Sequence, residues 1–288
     1  MRIPSVLAAI MVSCVACERA PEPVATAVTP ASSSAAAPRL PSGTAGALVQ
    51  RAIDAAGGWE RWIAKRDVAF VTTFTVYNAM GDASSESIGV HKSPLHTTPR
   101  VRFESLGLAE PITLGFDGKE AWMLRAGLPV YEPARMVLPR FNMISNIFWF
   151  SLPFSLAELP MTVVDLGESG DDHHWLRLKV TMNADAPEAP GDWFILYLDP
   201  RDVLIDHILG HITASFLNHS LWLGQWLDYQ DCDGIKKERR RQFFPADAEA
   251  AIVGNLVVDQ LVEDVRFNNN FAEQLFRKPL KTSGGSST

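Results

Sequence analysis

Hydrophobic and polar residues alternate with a period of two over most of the chain, and turn residues separate the alternating stretches. This pattern predicts β-strands joined by short connections. No strand–helix–strand alternation occurs, so the pattern favours one large antiparallel sheet. Strands are predicted at 68–79, 84–92, 100–106, 112–116, 120–125, 162–168, 175–183, 193–199, 203–214, 221–231, 235–244 and 251–267.

Helical spacing of apolar residues occurs before the first strand. The stretch 44–56 places Leu48, Val49, Ala52 and Ile53 on one face, with Thr44 as a candidate N-cap and two glycines as a stop signal. A second, short helical turn is predicted around Trp59 and Trp62. The folded part is therefore expected to open with helix and to continue as sheet.

Several strands are apolar on both faces. Trp193 and Ile195 point to one side of their strand, and Phe194 and Leu196 point to the other. A sheet with hydrophobic side chains on both sides needs a cover on each side. Helices are a candidate cover for one side. The candidates for the other side are curvature of the sheet, a ligand or a membrane.

An apolar segment at 134–159 interrupts the strand pattern. It is rich in bulky side chains, but Pro139, Asn142, Asn146 and Pro153 break it, so it is not a clean membrane span. We expect helical pieces inserted into the concave side of a curved sheet. Two interpretations stay open: the segment is permanent core, or it is a movable lid over an apolar cavity.

The N-terminus resembles a bacterial lipoprotein signal. An apolar run at 5–16 is too short to span a bilayer, and it ends in Cys14-Val15-Ala16-Cys17, which is similar to a lipobox except that Cys14 stands where leucine is usual. The resemblance implies a signal peptide at 1–16 and lipid attachment at Cys17. A plain cleavable signal is the alternative.

Composition divides the remaining chain. A Pro, Ala and Ser-rich stretch at 17–42 predicts a disordered tether. Residues 43–279 are expected to form a single domain, and 280–288 a flexible tail. The 288 residues carry a net charge of −7, which disfavours a nucleic-acid binder.

Several turns and aromatic positions resemble those of the LolA/LolB-like superfamily of outer-membrane lipoprotein carriers and receptors. They are AIDAAGGW at 52–59, FDGKEAW at 116–122, YLDPRD at 197–202, DYQDCDGI at 228–235 and VRFNNNFAEQLFRKP at 265–279. The resemblance implies an α+β, mainly β fold: an unclosed, strongly curved antiparallel β-barrel of about 11 strands with helices plugging the concave face. The protruding-loop residue of the receptors and the lid-closing arginine of the shuttle are not identified in this sequence, so neither role is carried over.

The resemblance also implies a function and a set of site residues. Members of the superfamily hold acyl chains in the cavity between sheet and helices. We therefore expect a lipid or acylated-protein ligand to contact Phe74, Trp122, Met143, Ile147, Phe148, Phe150, Trp193, Ile195, Trp222 and Trp226. The protein is expected to be a monomer that is lipid-anchored in the cell envelope, faces the periplasm and serves transport or sorting, with an envelope protein as a possible partner.

A basic run follows one predicted turn and consists of Lys236, Lys237, Arg239, Arg240 and Arg241. One interpretation is a solvated edge strand that its charge protects from pairing. The other is contact with anionic head groups or an acidic partner at the cavity mouth.

The sequence offers little catalytic chemistry. His207 and His211 fall in a strand pattern and would lie about 13 Å apart, too far to share one metal ion. Cys232 has no evident base beside it, and no nucleophile, phosphate-loop or dinucleotide motif occurs. We therefore predict no catalytic residue, metal or cofactor. The alternative function is a non-enzymatic sensing or structural module that acts through a protein partner; an enzyme would require His207, His211 and an acidic pair around one pocket.

Overall fold

The computed structural model describes residues 37–130, 132, 136–170, 172–183, 192–212 and 221–279. The predicted signal peptide, Cys17 and the predicted tail at 280–288 lie outside these residues. In the described part, no helix has the length and apolar character needed to cross a membrane.

Within these ranges, thirteen antiparallel strands form one sheet in the order β6-β5-β4-β3-β2-β1-β13-β12-β11-β10-β9-β8-β7. The two edge strands, β6 and β7, are not paired to each other, so the barrel is unclosed, as predicted. The strands are β1 Asp67–Tyr77, β2 Ala83–Pro94, β3 Val101–Ser105, β4 Ile112–Phe116, β5 Ala121–Arg125, β6 Leu128–Val130, β7 Met161–Glu168, β8 Leu176–Met182, β9 Trp193–Leu198, β10 Ile205–His211, β11 Leu221–Cys232, β12 Ile235–Pro245 and β13 Val258–Phe267.

Four α-helices and one 3₁₀ turn accompany the sheet in the described residues. They are α1 Gly43–Ala55, α2 Trp59–Ile63, α3 Val137–Ser151, α4 Ser155–Glu158 and the 3₁₀ turn Glu273–Phe276. The N-cap position of helix α1 lies two residues before the predicted one: Ser42, not Thr44, occupies it, and the Ser42 side chain makes no capping hydrogen bond. The helix ends before Gly57, which has a φ of 123° that L side chains rarely adopt.

Two strand predictions need correction. The stretch 251–267 was expected to be one strand, but β13 starts only at Val258 because the chain first folds back and Ala246 bridges to Ile252. The short strand β6 lies outside the predicted set and adds an edge to the sheet. The hairpin between β11 and β12 matches expectation, since Asp233 and Gly234 both have positive φ, as a tight two-residue turn requires.

One hydrophobic core joins the helices to the concave face of the sheet. Trp62 of α2 stacks on Phe154 with ring centroids 4.5 Å apart, and Phe150 of α3 stacks on Phe70 of β1 at 4.7 Å. A second cluster lies on the other face of the sheet around Tyr197, where Leu209 and Leu223 are buried. Apolar residues therefore cover both faces of β9–β11, as the two-sided strand pattern predicted.

Candidate functional site

A cavity of about 870 Å³ lies beside helix α3. Its walls include Phe116 and Trp122 from one end of the strand order and Phe194 and Met182 from the other. Residues from both ends of a sheet can line one cavity only if the sheet curves round toward itself. The cavity thus occupies the gap that the unclosed barrel leaves, and α3 lies in that gap.

Helix α3 presents a largely apolar wall to the cavity. Ile144 and Phe148 lie four residues apart, which places them on one helical face. Arg140 also lines the cavity and lies over the ring of Phe116, 5.1 Å from its centroid. The α3 residues that line the cavity are Val137, Arg140, Phe141, Ile144, Ser145, Ile147, Phe148, Trp149 and Ser151.

Five of the ten residues expected at the ligand line this cavity: Trp122, Ile147, Phe148, Trp193 and Trp222. Two of the tryptophans lie against glycines. A Cβ on Gly115 would come within 2.1 Å of the Trp122 indole, and a Cβ on Gly210 would come within 2.1 Å of the Trp222 indole. Each glycine therefore lets an indole ring lie close to the neighbouring strand.

The other five expected residues do not line the cavity. Met143 and Phe150 are buried in the core behind it, and Trp226 packs edge-on against Trp149. Ile195 packs into the cluster around Tyr197 on the opposite face of the sheet. Phe74 is half-buried in β1, away from the cavity lining.

Phe194 takes the place that was expected for Ile195. Its ring contacts Phe148 and Trp149 of α3, with centroids 5.6 and 5.4 Å apart. The two residues are neighbours on one strand and therefore point to opposite faces. Because both faces of this strand are apolar, the sequence pattern alone could not show which face is concave.

The basic run divides between interior and surface. Lys237 and Arg241 are completely buried, whereas the Arg239 side chain is 55% exposed and pairs with Glu263. Arg240 pairs with Asp259 at 2.6 Å, and Lys236 is exposed. None of these five residues lines the cavity.

The buried half of the basic run forms a polar network under α3. Arg241 donates to Glu238 from both Nε, at 2.7 Å, and Nη2, and its Nη1 approaches Asn146 and Gln260 at 3.5 and 3.4 Å. Gln260 also donates to Asn146 at 2.6 Å. The network thus fixes the middle of α3 to β12 and β13.

Lys237 extends the network to the end of α3. Its ammonium donates to the carbonyl oxygen of Leu152 at 2.9 Å, lies 3.3 Å from Glu238 and sits over the ring of Phe150. Burial lowers the pKa of Lys237, and the charge of Arg241 adds to this effect, while Glu238 opposes it. A buried charge of this kind is tolerated because it is paired and hydrogen-bonded.

A second polar group joins α4 to the cavity wall. His96 Nδ1 lies 2.6 Å from Glu158 Oε1, and His96 Nε2 lies 2.7 Å from the carbonyl oxygen of Lys65. Trp62 Nε1 donates to the same Glu158 oxygen at 2.9 Å. His96 and Glu158 both line the cavity. They are 62 residues apart, so no local motif could have paired them in the sequence.

The remaining candidate chemistry is dispersed. His211 lines the cavity and stacks on Trp193, whereas His207 stacks on Tyr197 and pairs with Asp206, away from the cavity. The described residues contain no group of three or more His, Cys, Asp or Glu side chains suited to hold a metal ion. Burial raises the pKa of the Cys232 thiol to about 11, which disfavours the reactive thiolate.

The first described residues of the chain lie next to the cavity. The backbone N–H of Arg39 donates to the carbonyl oxygen of Ala157 in α4, at 3.2 Å. Ser155 and Glu158 of the same short helix line the cavity. The end of the predicted tether therefore contacts an element of the cavity wall.

Comparison with known proteins identifies the fold. No protein-family model and no curated protein sequence matches the chain. A DUF1329 family protein from Desulfovibrio piger is similar in structure, with a TM-score of 0.53 and 9% identity, over 80% of this chain and 96% of that one. A LolA superfamily protein from Nitrosomonas europaea is similar with a TM-score of 0.52 and 9% identity, over 82% of this chain and 99% of that one. The chain therefore has the LolA-like fold that its turns and aromatic positions led us to expect.

Proposed function

We propose that this protein binds the acyl chains of a lipid or of an acylated protein in the cavity beside α3, and that it serves lipid or lipoprotein transport or sorting in the cell envelope. The observation that carries the proposal is the cavity itself. Its volume of about 870 Å³ falls within the range of known ligand sites, about 300–1,000 Å³. The side chains of α3 and α4 do not fill the interior of the barrel, and this cavity remains beside them.

The lining suits an apolar ligand. Ile144, Phe148, Phe194 and Trp222 contribute to it from α3, β9 and β11. An acyl chain of about 15 methylenes gains about 12 kcal/mol on leaving water, before the costs of ordering are subtracted. Burial of the tail alone is therefore enough for capture, and no catalytic group is required.

The proposed location follows from the N-terminus. Acylation of Cys17 would anchor the protein on a membrane, since several buried acyl chains together hold a protein firmly. The predicted tether would then connect that anchor to Arg39, which lies beside the cavity wall. A protein with this arrangement can exchange ligand with the membrane surface without leaving it.

The test begins with the full-length protein extracted from its native membrane. Mass spectrometry under native conditions should report an acyl modification at Cys17 and a co-purifying lipid. Fluorescent fatty-acid titration should then give saturable binding. Two outcomes contradict the proposal: protein that carries no extractable lipid, and protein that binds no fatty-acid probe.

A matched pair of variants locates the binding site. Ile144→Gln places an amide on the cavity wall, whereas Ile252→Gln makes the same change at a position that is 44% exposed and outside the cavity. We expect Ile144→Gln to weaken fatty-acid binding about tenfold, because a buried amide without a partner costs about 1–3 kcal/mol. Ile252→Gln should bind as the unaltered protein does. Equal effects of the two changes would favour the alternative function, a module that acts through a protein partner.

A further inference from the structure

His96 joins two parts of the cavity wall that are distant in sequence. It belongs to the segment 94–99, which starts at the last residue of β2 and continues toward β3; all six residues line the cavity, and the segment is called loop 94–99 below. Its partner Glu158 ends α4, and the residues that follow, Leu159 and Pro160, also line the cavity. The pair therefore closes the wall between this loop and the end of the insert.

The geometry defines the protonation state of His96. A glutamate oxygen lies 2.6 Å from one ring nitrogen and a backbone carbonyl oxygen lies 2.7 Å from the other. Both partners are acceptors, so each ring nitrogen has to donate a hydrogen, and only the imidazolium carries a hydrogen on both. The His96 and Glu158 side chains are 25% and 20% exposed, so protons can reach them from solvent.

The charges around His96 stabilise the same state. Glu158 faces it from α4; Lys65, at the corner between α2 and β1, directs its ammonium to Asp233 in the turn between β11 and β12. Burial lowers the pKa of His96. The hydrogen bond and charge of Glu158, together with the carbonyls of Lys65 and Trp62, outweigh this effect, so the pKa is raised above its ordinary value of 6.5.

We propose that His96 is a pH-sensitive latch on the cavity wall: its imidazolium ties loop 94–99 both to α4 and to the corner between α2 and β1, and loss of the proton releases one of these attachments. The neutral ring has one N–H, so one of its two acceptors then faces a lone pair. The latch is closed below pH 6.5 and opens as the pH rises through the raised pKa of His96. Its effect on ligand exchange rests on the proposed function; its effect on the loop does not.

The first experiment requires no ligand. Hydrogen exchange of the loop amides at 95–98 is measured between pH 5.5 and 8.5 on the unaltered protein and corrected for intrinsic exchange rates. A ¹H–¹⁵N titration of the His96 ring in the same range reports its proton directly. We expect protection of the loop to fall about tenfold as the ring loses its proton, since one hydrogen bond to a charged group is lost. Protection that does not follow the ring titration overturns the proposal.

The second experiment measures release of a bound fluorescent fatty acid by stopped flow. In the unaltered protein, the release rate should rise about tenfold over the same pH range, because the loop forms part of the wall. His96→Gln, which carries no titrating group, should give a flat profile. His207→Gln is the control, since it removes a histidine that pairs with Asp206 away from the cavity; it should keep the rise. A rise that persists in His96→Gln overturns the latch.

The two experiments separate the two proposals. A loop that opens with the titration of His96, in a protein that binds no fatty acid, supports the latch and contradicts the proposed function. Fatty-acid binding combined with a loop whose protection is independent of pH supports the proposed function and contradicts the latch.

Discussion

The two halves of α3 differ in how they are held. The second half, 145–151, is fixed by Asn146 in the buried polar network, by the stack of Phe150 on Phe70 and by the bond from Lys237 to Leu152 just beyond it. The first half, 137–144, begins at Val137, which is 57% exposed, and reaches the core only toward its end, at Met143. Both halves line the cavity.

This difference leads to an expectation about which part of the helix is lid and which is core. Both halves are bulky and apolar, but buried polar bonds hold the second half against the sheet. Buried hydrogen-bonded networks rigidify the elements they join, so we expect the second half to be permanent core. Under the proposed function, we expect any movement that admits a ligand to occur in the first half. The following changes test this comparison.

Removal of the central cation should have the largest effect. In Arg241→Met, Glu238 stays buried without its main partner, so we expect a loss of about 3–5 kcal/mol in the free energy of unfolding, measured by urea denaturation. Arg239→Met removes an exposed partner of Glu263 from the same strand and should leave the unfolding midpoint almost unchanged. Similar losses in the two variants would show that the buried network does not fix α3.

Two neighbouring residues of α3 give a smaller contrast. Asn146→Ala removes the acceptor of Gln260 and should cost about 1–3 kcal/mol. Ser145→Ala, one residue earlier, alters a half-buried side chain at the cavity and should cost less than about 0.5 kcal/mol. Thermal unfolding of both variants provides the measurement. The comparison fails if Ser145→Ala is the more damaging change.

A pH effect is also expected beneath the second half of α3. His91 stacks on Phe70, and burial, with the charge of Arg241, lowers its pKa to about 3 from 6.5. Below pH 6.5, His91 therefore binds a proton in the unfolded chain but stays neutral in the folded protein. Stability should fall between pH 6.5 and 3 by at most about 1.4 kcal/mol per pH unit.

His91→Phe should reduce this slope, because the phenyl ring can keep the stack on Phe70 and does not titrate. Urea denaturation at pH 7 and pH 5 provides the comparison with the unaltered protein. An unchanged slope in the variant would mean that other groups cause the acid sensitivity. His96 acts in the opposite direction, since its raised pKa stabilises the folded state at low pH.

Much of the architecture was predictable from the sequence. Period-two alternation located most of the strands, and the broken apolar segment correctly suggested helices within the curve of the sheet. The bend at 246–257 was missed because its apolar residues, such as Ile252 and Val253, continue the strand pattern although they are exposed. Local alternation does not report where a chain folds back.

The site was less predictable, for a physical reason. Lys237 and Arg241 belong to a charged stretch that is typical of a solvated strand, but partners from other elements allow them to be buried. The Leu152 carbonyl binds Lys237, and the side chains of Asn146 and Gln260 bind Arg241. His96 and Glu158 likewise meet only through tertiary structure. Side chains whose environment is set by distant segments cannot be assigned from the residues beside them.

The sheet order has a mechanical consequence. Strands β6 and β7 lie at opposite edges of the sheet but follow each other in the chain, so the segment that carries α3 and α4 is covalently attached to both edges. Because both ends of this segment are attached to the sheet, an incoming molecule cannot displace it completely. The segment can only move away from the sheet in its middle or shift along it. The length of this segment therefore limits how far the gap between β6 and β7 can widen. Shortening or lengthening the segment should change the diameter of the largest molecule that can pass through the gap.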